Sequence, residues 1–487
     1  MPVYTESLRG AAAPRIEARL NTVLWVVFAA TCVFYAGLAF DYFIAFGQGR
    51  EGWWLGLFAT LVGTEQALGA GSVHVDQAGP YAAGFNFMLM HTTTGALAMA
   101  IGPFQFVAAA RRRFPRLHRN AGKVYLVSVL LSMIGGLAYL GATPLADIYS
   151  GAPFGIALAG LDIMVLLTAW LAYAAIRQRD IERHRAWMAY NFGLLLATPG
   201  LRLLWIAFGR LVPDMDQAAS NLAIMTFLLP LCVSGMLLWF AAQPGRGGLT
   251  VRPTAMAATG LRVPWLAVGR ILAISATLLV AMHHVLRFVL PSDPWTGFLP
   301  AEQAAVDAAT FARCWPLAIV YVVANAVAML HGVRAFGTAL RGERVAPTFF
   351  IAAAIAALSG GALASWTGPG LLGGTTVLYY WWGLAMLWLL AIARAQSRKA
   401  AVARDWTLYA IALAFLPATV LPGIPLWQTL DALDFEQAVI TAVTMSFAAH
   451  YLLVHLYLYA TAAPGRNPRE ATARTRVHDP LAQSRSA

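Results

Sequence analysis

Ten histidines are spread along the chain, and five of them stand at depths where two imidazoles on facing helices would grip one cofactor. His91 lies about seven residues inside one end of the second long apolar run, and His283 and His284 lie at a similar depth in the seventh. His118 and His184 mark the opposite boundary, in Leu117-His118-Arg119 and His184-Arg185-Ala186-Trp187-Met188. A b-type haem needs one His from each of two facing helices at matched depth. His91 with His283 or His284 meets that condition, and His118 with His184 would make a second site. The adjacent pair points about 100° apart on a helix, so only one member can face His91. Matched depth also fits histidines that hydrogen-bond between helices or meet lipid headgroups. His450 and His455 are about 140° apart around their helix and share no ligand face.

Asp162 and Arg202 are charges well inside apolar runs. Each costs roughly 2.5–3.5 kcal/mol or more at the bilayer centre unless paired. Counted along antiparallel helices at about 1.5 Å per residue, their depths nearly coincide. The spacing therefore predicts a buried Asp162–Arg202 pair, serving either as a helix lock or as part of a substrate or proton site. Gly102-Pro103-Phe104-Gln105-Phe106 ends the second run. Its Pro breaks helical bonding and Gln105 is a polar group at depth, so it predicts a cavity wall or a plain kink. Cys32, Cys232 and Cys314 lie far apart in apolar surroundings, without metal-ligand spacing, and read as small buried hydrophobes. No phosphate-loop, GxSxG, HExxH or dinucleotide fingerprint is present.

The elements that must position these residues are long apolar helices. The chain is 59% hydrophobic and 11% charged, against about 25% charged in soluble domains. Apolar runs fall near 22–46, 84–110, 122–142, 155–176, 189–212, 220–242, 265–290, 314–338, 347–366, 374–396, 406–425 and 437–460. These lengths suit helices crossing a hydrocarbon layer about 30 Å thick. The ~10-residue alternating segments of a transmembrane β-barrel are missing. The fold class expected is all-α, a polytopic bundle of about twelve transmembrane helices.

The connections alternate in charge. Arg111, Arg112, Arg113, Arg116, Arg119 and Lys123 follow the second run, and Arg177, Arg179, Arg183 and Arg185 the fourth. Similar clusters follow the sixth, eighth and tenth, and the intervening connections carry Asp214, Asp216, Asp293, Glu302, Asp307, Asp431, Asp434 and Glu436. Basic connections stay in the cytoplasm, so both termini are expected there. The net charge of +12 is thus written into topology, and no basic face on a soluble domain suggests nucleic acid. Asn21 to Phe46 is longer than a signal-peptide core and reads as an uncleaved first helix. In the outer connection 47–83, Trp53 to Phe58 reads as an interfacial helix.

Cut at the Pro/Gly/Arg-rich stretch 243–264, the chain yields a weak internal repeat. Ser132 to Tyr139 resembles Ser359 to Trp366; Arg185-Ala-Trp187-Met-Ala-Tyr190 matches Arg404-Asp-Trp406-Thr-Leu-Tyr409, and Pro199 and Pro417 follow each. The organisation expected is a first six-helix half (1–242), a cytoplasmic linker (243–264), a second six-helix half parallel to the first (265–462), and a disordered tail (463–487).

Between His91 and Arg202 a set of residues stands out: His91 with Gly95, Gly102-Pro-Phe-Gln-Phe, Arg112, Leu117-His118-Arg119, Gly122 with Tyr125, Gly135-Gly136, His184-Arg185-x-Trp187-Met188 and Arg202. In these the segment resembles a bacterial family of predicted membrane proteins, domain of unknown function 2306. The resemblance implies a membrane fold in a bacterial-type plasma (inner) membrane and carries no established activity. It adds Arg119 and Trp187 to the residues of interest. The second half departs from the pattern, with Ala403 opposite His184, so the resemblance places any active constellation in the first half.

Three functions follow from these residues. The first is a redox membrane protein that binds b-type haem or quinone through His91, His118 and His184 and serves a membrane electron-transfer partner. The second is a small-molecule or ion transporter built on Asp162, Arg202 and the Pro-Gln break. The third is a membrane assembly or scaffold protein; no motif selects an enzyme class. The charge alternation itself is testable: reporter fusions after Arg113 and Arg183 should both report the cytoplasm, and fusions reporting opposite faces would overturn the topology.

Overall fold

The structure is a computed structural model that describes residues 4–213, 215–242, 274, 301–340, 343–367, 375–397, 400–429 and 433–460. Among the described residues every regular element is helical. Backbone groups in hydrocarbon must be satisfied within their own segment, which a helix does and an isolated strand cannot. Seven helices are long and apolar enough to cross a membrane, or eight if the bent pair Val402–Ala414 and Leu416–Gln428 counts as one span. The expected run 265–290, apart from Ile274 but including His283 and His284, lies outside the described residues.

The first span is α1 (Tyr4–Gly47). The connection after it is not a single surface helix. It folds into α2 (Trp53–Val62), α3 (Thr64–Leu68), α4 (Val73–Asp76) and α5 (Ala78–Ala83). Trp53 is exposed, but Trp54, Leu55 and Phe58 are buried, with the Phe58 ring 6.3 Å from that of Trp205. The apolar face expected to lie on lipid is therefore packed partly against protein. The α1 end is tied to this cap by Asp41, which accepts from the Trp53 N–H at 2.8 Å and forms an ion pair with Arg50.

Next comes α6 (Phe85–Gln105), which runs on through Pro103. Its break falls at Phe106–Val107, just past the Gly102-Pro103 pair, and leads to the short α7 (Ala108–Arg113). Then follow α8 (Pro115–Ala142), α9 (Ala152–Arg177), α10 (Ile181–Leu195), α11 (Ala197–Leu211) and α12 (Gln217–Ala242). After the undescribed stretch come α13 (Ala301–Leu340), α14 (Pro347–Thr367), α15 (Thr375–Ala395), α16 (Ala400–Ala414), α17 (Leu416–Gln428) and α18 (Phe435–Ala460). Helix α13 is kinked at Cys314, two residues before Pro316, where a ring nitrogen cannot donate.

Helices α6 and α8 form the most extensive helix pair, with α1 on the other side of α6. Small residues let them close. A Cβ on Gly135 would stand 2.7 Å from the Phe87 carbonyl oxygen and 2.9 Å from the His91 nitrogen, and one on Gly95 would stand 2.8 Å from Ser132 Oγ. Helix association in lipid relies on such approach because apolar side chains gain little over lipid tails. Gly135→Ala should therefore lower stability by about 1–3 kcal/mol, the range for overpacking, in thermal or denaturant unfolding in detergent. Gly141→Ala, on the same helix with open space around it, should leave the transition unmoved.

Candidate functional site

The α6–α8 contact fixes His91. Its Nδ1 lies 2.8 Å from the Ser132 carbonyl oxygen, and Ser132 Oγ donates to the His91 carbonyl at 2.8 Å. A carbonyl only accepts, so Nδ1 carries the proton. In the neutral ring Nε2 keeps its lone pair.

His91 lines a cavity of about 140 Å³ enclosed by α1, α5, α6, α8 and α11 and by the cap helices. Arg202, from α11, lines the same cavity, with Tyr35, Tyr42, Tyr81, Thr92, Ser132 and Thr198. The guanidinium carbon of Arg202 sits 4.7 Å from the centre of the Trp205 ring. Among the described residues no carboxylate pairs with Arg202, and Tyr35, Tyr42 and Tyr81 show no hydrogen-bond partner for their hydroxyls. One cation, three phenols and one imidazole thus surround a single space.

The expected Asp162–Arg202 ion pair is not formed among the described residues. Asp162 instead approaches α8 beside His91: a Cβ on Gly136 would meet Asp162 Oδ2 and would stand 3.0 Å from His91 Nδ1. Helix α10 ends at Leu195 and α11 starts at Ala197, with Pro199 in its first turn, and the two still run on as one span, Ile181–Leu211; a count of depth along such a span does not fix which way a side chain faces around it. Asp162 is 5% exposed and has no ion-pair partner among the described residues.

A wider hollow of about 710 Å³ is lined by Asp76, Gln77, Asp147 and Tyr149 among others. Tyr139 donates to Gln77 at 2.8 Å, Gln77 donates to the Asp147 carbonyl at 2.8 Å, and Tyr149 donates to the Gly71 carbonyl at 3.0 Å. Burial, with Asp76 and Asp216 nearby, holds the Tyr149 hydroxyl above the ordinary tyrosine range.

Residues 88–239 match a family model, Predicted membrane protein (DUF2306). No curated protein and no solved structure matches the chain. The DUF2306 segment supplies His91, Ser132, Asp162 and Arg202, while Tyr35, Tyr42 and Tyr81 come from the sequence before it.

The remaining sequence candidates divide. His118 and His184 both stand at the basic end, each within electrostatic reach of Arg111. His184 Nδ1 donates to the Ala172 carbonyl at 2.9 Å. Arg119 is exposed and bonds only the Pro115 carbonyl one turn back, at 3.3 Å. Gln105 lines neither hollow; its Oε1 faces Gly122 on α8. Trp187 is buried, its ring 4.7 Å from that of His455. Among the described residues no three of His, Cys, Asp and Glu converge as a metal-ion site; an axially ligated haem asks for only two imidazoles.

Asn191 escaped the sequence reading, and His455 entered it only as sharing no ligand face with His450. Asn191 accepts from the Tyr125 hydroxyl at 2.7 Å and donates to the Val165 carbonyl at 2.8 Å and to Thr168 Oγ1 at 2.9 Å, joining α8, α9 and α10. A lone amide within an apolar run was the available signal. His455 is fully buried between the Trp187 and Tyr190 rings, with its Nδ1 3.3 Å from the Tyr409 hydroxyl. The two Trp-x-x-Tyr stretches pointed to it.

Proposed function

We propose that the protein is a membrane-embedded redox protein that takes the ring of a quinone in the cavity between His91 and Arg202. The observation that carries this reading is an arginine with no carboxylate partner facing the same space as a neutral imidazole acceptor. A quinone ring offers an oxygen to each. Arg202 would donate to one oxygen and hold charge developing on it, and His91 Nε2 would accept the proton of the other oxygen when the ring is a quinol. Aromatic walls from Tyr35, Tyr42 and Tyr81 suit a flat ring. At about 140 Å³ the cavity is well below the ~300–1,000 Å³ of pockets for drug-sized ligands. It fits one ring better than a macrocycle, which favours quinone over haem at His91. Electrons would pass to the membrane electron-transfer partner expected from the sequence.

A second reading, a b-type haem between His118 and His184, is favoured by one observation. Both imidazoles stand at the basic end within electrostatic reach of each other, and the backbone bond at His184 Nδ1 leaves Nε2 outward, the orientation of metal-ligating histidines. A transporter reading draws on the same cavity and the wider hollow outside it, and a scaffold role on the buried polar bonds alone.

The twelve-span plan in two parallel halves is part of this proposal, with boundaries at 242, 264 and 462 and both termini in the cytoplasm of a plasma (inner) membrane. Reciprocal packing supports it. Helix α12 packs on α15 while α18 packs on α9, and α12 and α18 touch each other. Both Trp-Tyr helices, α10 and α16, end at a break followed by a proline, at Leu196 before Pro199 and at Phe415 before Pro417.

Titrating the purified protein with a short-chain quinone should give saturable quenching of its tryptophan fluorescence. Arg202→Leu and His91→Leu should each weaken binding at least tenfold, about 1.4 kcal/mol, with unchanged folding. Binding that ignores both substitutions would remove the quinone site. A dithionite-reduced minus oxidised spectrum of protein made with ample haem checks the second reading. A Soret band lost in His118→Ala and His184→Ala supports it, and no band in the wild type ends it.

A further inference from the structure

Asp162 takes no part in the binding just described, yet it is the buried carboxylate nearest to His91. Its Oδ2 and His91 Nδ1 converge on one point above Gly136, where a single methyl group would touch both. Glycine at 136 keeps that point open. Asp162 is 5% exposed, belongs to α9, and has no ion-pair partner among the described residues. An isolated carboxylate in apolar surroundings is unfavourable unless a positive group compensates it. The compensating group available here is an imidazole that becomes charged.

We propose that Asp162 is the positioning partner of His91, holding the imidazolium that forms when a ligand hydroxyl in the cavity gives its proton to His91 Nε2. The inference rests on the cavity reading above. The step balances within the site: the ligand O–H bond breaks, the proton binds Nε2, and the electron pair stays on the ligand oxygen. The ligand anion then faces Arg202, and the imidazolium faces Asp162 across Gly136. Two pairs of opposite charge replace one separated pair, so the arrangement selects ligands with an acidic hydroxyl, the class of quinols and hydroxyquinones. The charged and titratable groups around His91 from the packed elements are Asp162 on α9, Arg202 on α11, Tyr35 and Tyr42 on α1, and Tyr81 on α5. Ser132 on α8 fixes the ring plane through its carbonyl.

The test uses a hydroxynaphthoquinone, whose visible spectrum separates its neutral form from its anion, bound to the full-length protein across a range of pH. In the wild type the bound probe should stay anionic into the acid range. In Asp162→Asn the ratio of bound anion to bound neutral form should fall about tenfold, one pH unit's worth, and Asp162→Glu should restore it. An unchanged ratio in Asp162→Asn, with the probe still bound and binding still dependent on Arg202, overturns the role of Asp162 alone. No binding, or binding indifferent to Arg202→Leu, overturns the cavity reading beneath it. Should Asp162→Asn not fold, Asp162→Ser and His91→Gln are read by the same spectral ratio: a tenfold fall supports the partnership, and an unchanged ratio overturns it.

Discussion

The interior of this bundle is governed by one constraint: in hydrocarbon, every polar group has to find its partner within the protein or in a ligand. The chain meets it in part within helices and in part between them. Thr92, Thr93 and Thr94 return their hydroxyls to carbonyls one turn back on α6. Asn191 spends its amide on three neighbours, and Ser234 reaches Tyr451 at 3.0 Å between α12 and α18. Against that background Arg202 stands apart. Its guanidinium rests on the Trp205 ring and faces a space bounded by three phenols and an imidazole. A cation–π contact supplies about 0.5–2 kcal/mol, less than the roughly 2.5–3.5 kcal/mol or more of placing an arginine at depth. The difference is what an oxygen-bearing ligand would supply.

Close helix approach turns this imbalance into a site. Helix α8 meets Gly95 of α6 through Ser132 and carries Gly135 and Gly136 itself, so α6 and α9 both reach it without intervening side chains. The closeness fixes the His91 ring through a backbone carbonyl rather than a flexible side chain, which leaves Nε2 aimed by packing. It also brings beside the ring a carboxylate that does not line the cavity. Rigid elements hold such constellations better than loops do, and all of His91, Ser132, Asp162 and Arg202 are on helices of fifteen residues or more.

Much of this was legible in the residues. Apolar run length announced the spanning helices, and the glycines and serine between His91 and Arg202 marked the segment that carries the DUF2306 match. Counted depth singled out His91, Asp162 and Arg202 as the groups to explain, but the Asp162–Arg202 ion pair it predicted does not form among the described residues. Depth along a helix says nothing of azimuth. Tyr35, Tyr42 and Tyr81 were invisible for a different reason: aromatic residues near helix ends usually belong to the membrane belt, and only tertiary packing shows that these three face one another across a cavity. Trp53 to Phe58 read as an interfacial helix because an amphipathic helix presents the same pattern whether its apolar face meets lipid or protein.

The second half supplies an internal comparison for the proposed duplication. Carried across by the Trp-x-x-Tyr and proline landmarks, the position of Arg202 falls among Val420 and Leu421, both buried and apolar. Ser359, the counterpart of Ser132, donates to the Ile355 carbonyl on its own helix at 2.6 Å instead of reaching a neighbour. A repeat that has kept the breaks, the prolines and the Trp-Tyr pair but lacks the cation and the interhelical serine bond retains the scaffold without the site. His455 then takes on a structural meaning: from the second half it inserts between Trp187 and Tyr190 of the first, behind the helix that leads to Arg202. Under the proposed duplication, the first half would carry the site and the second would pack against the helix that leads to Arg202.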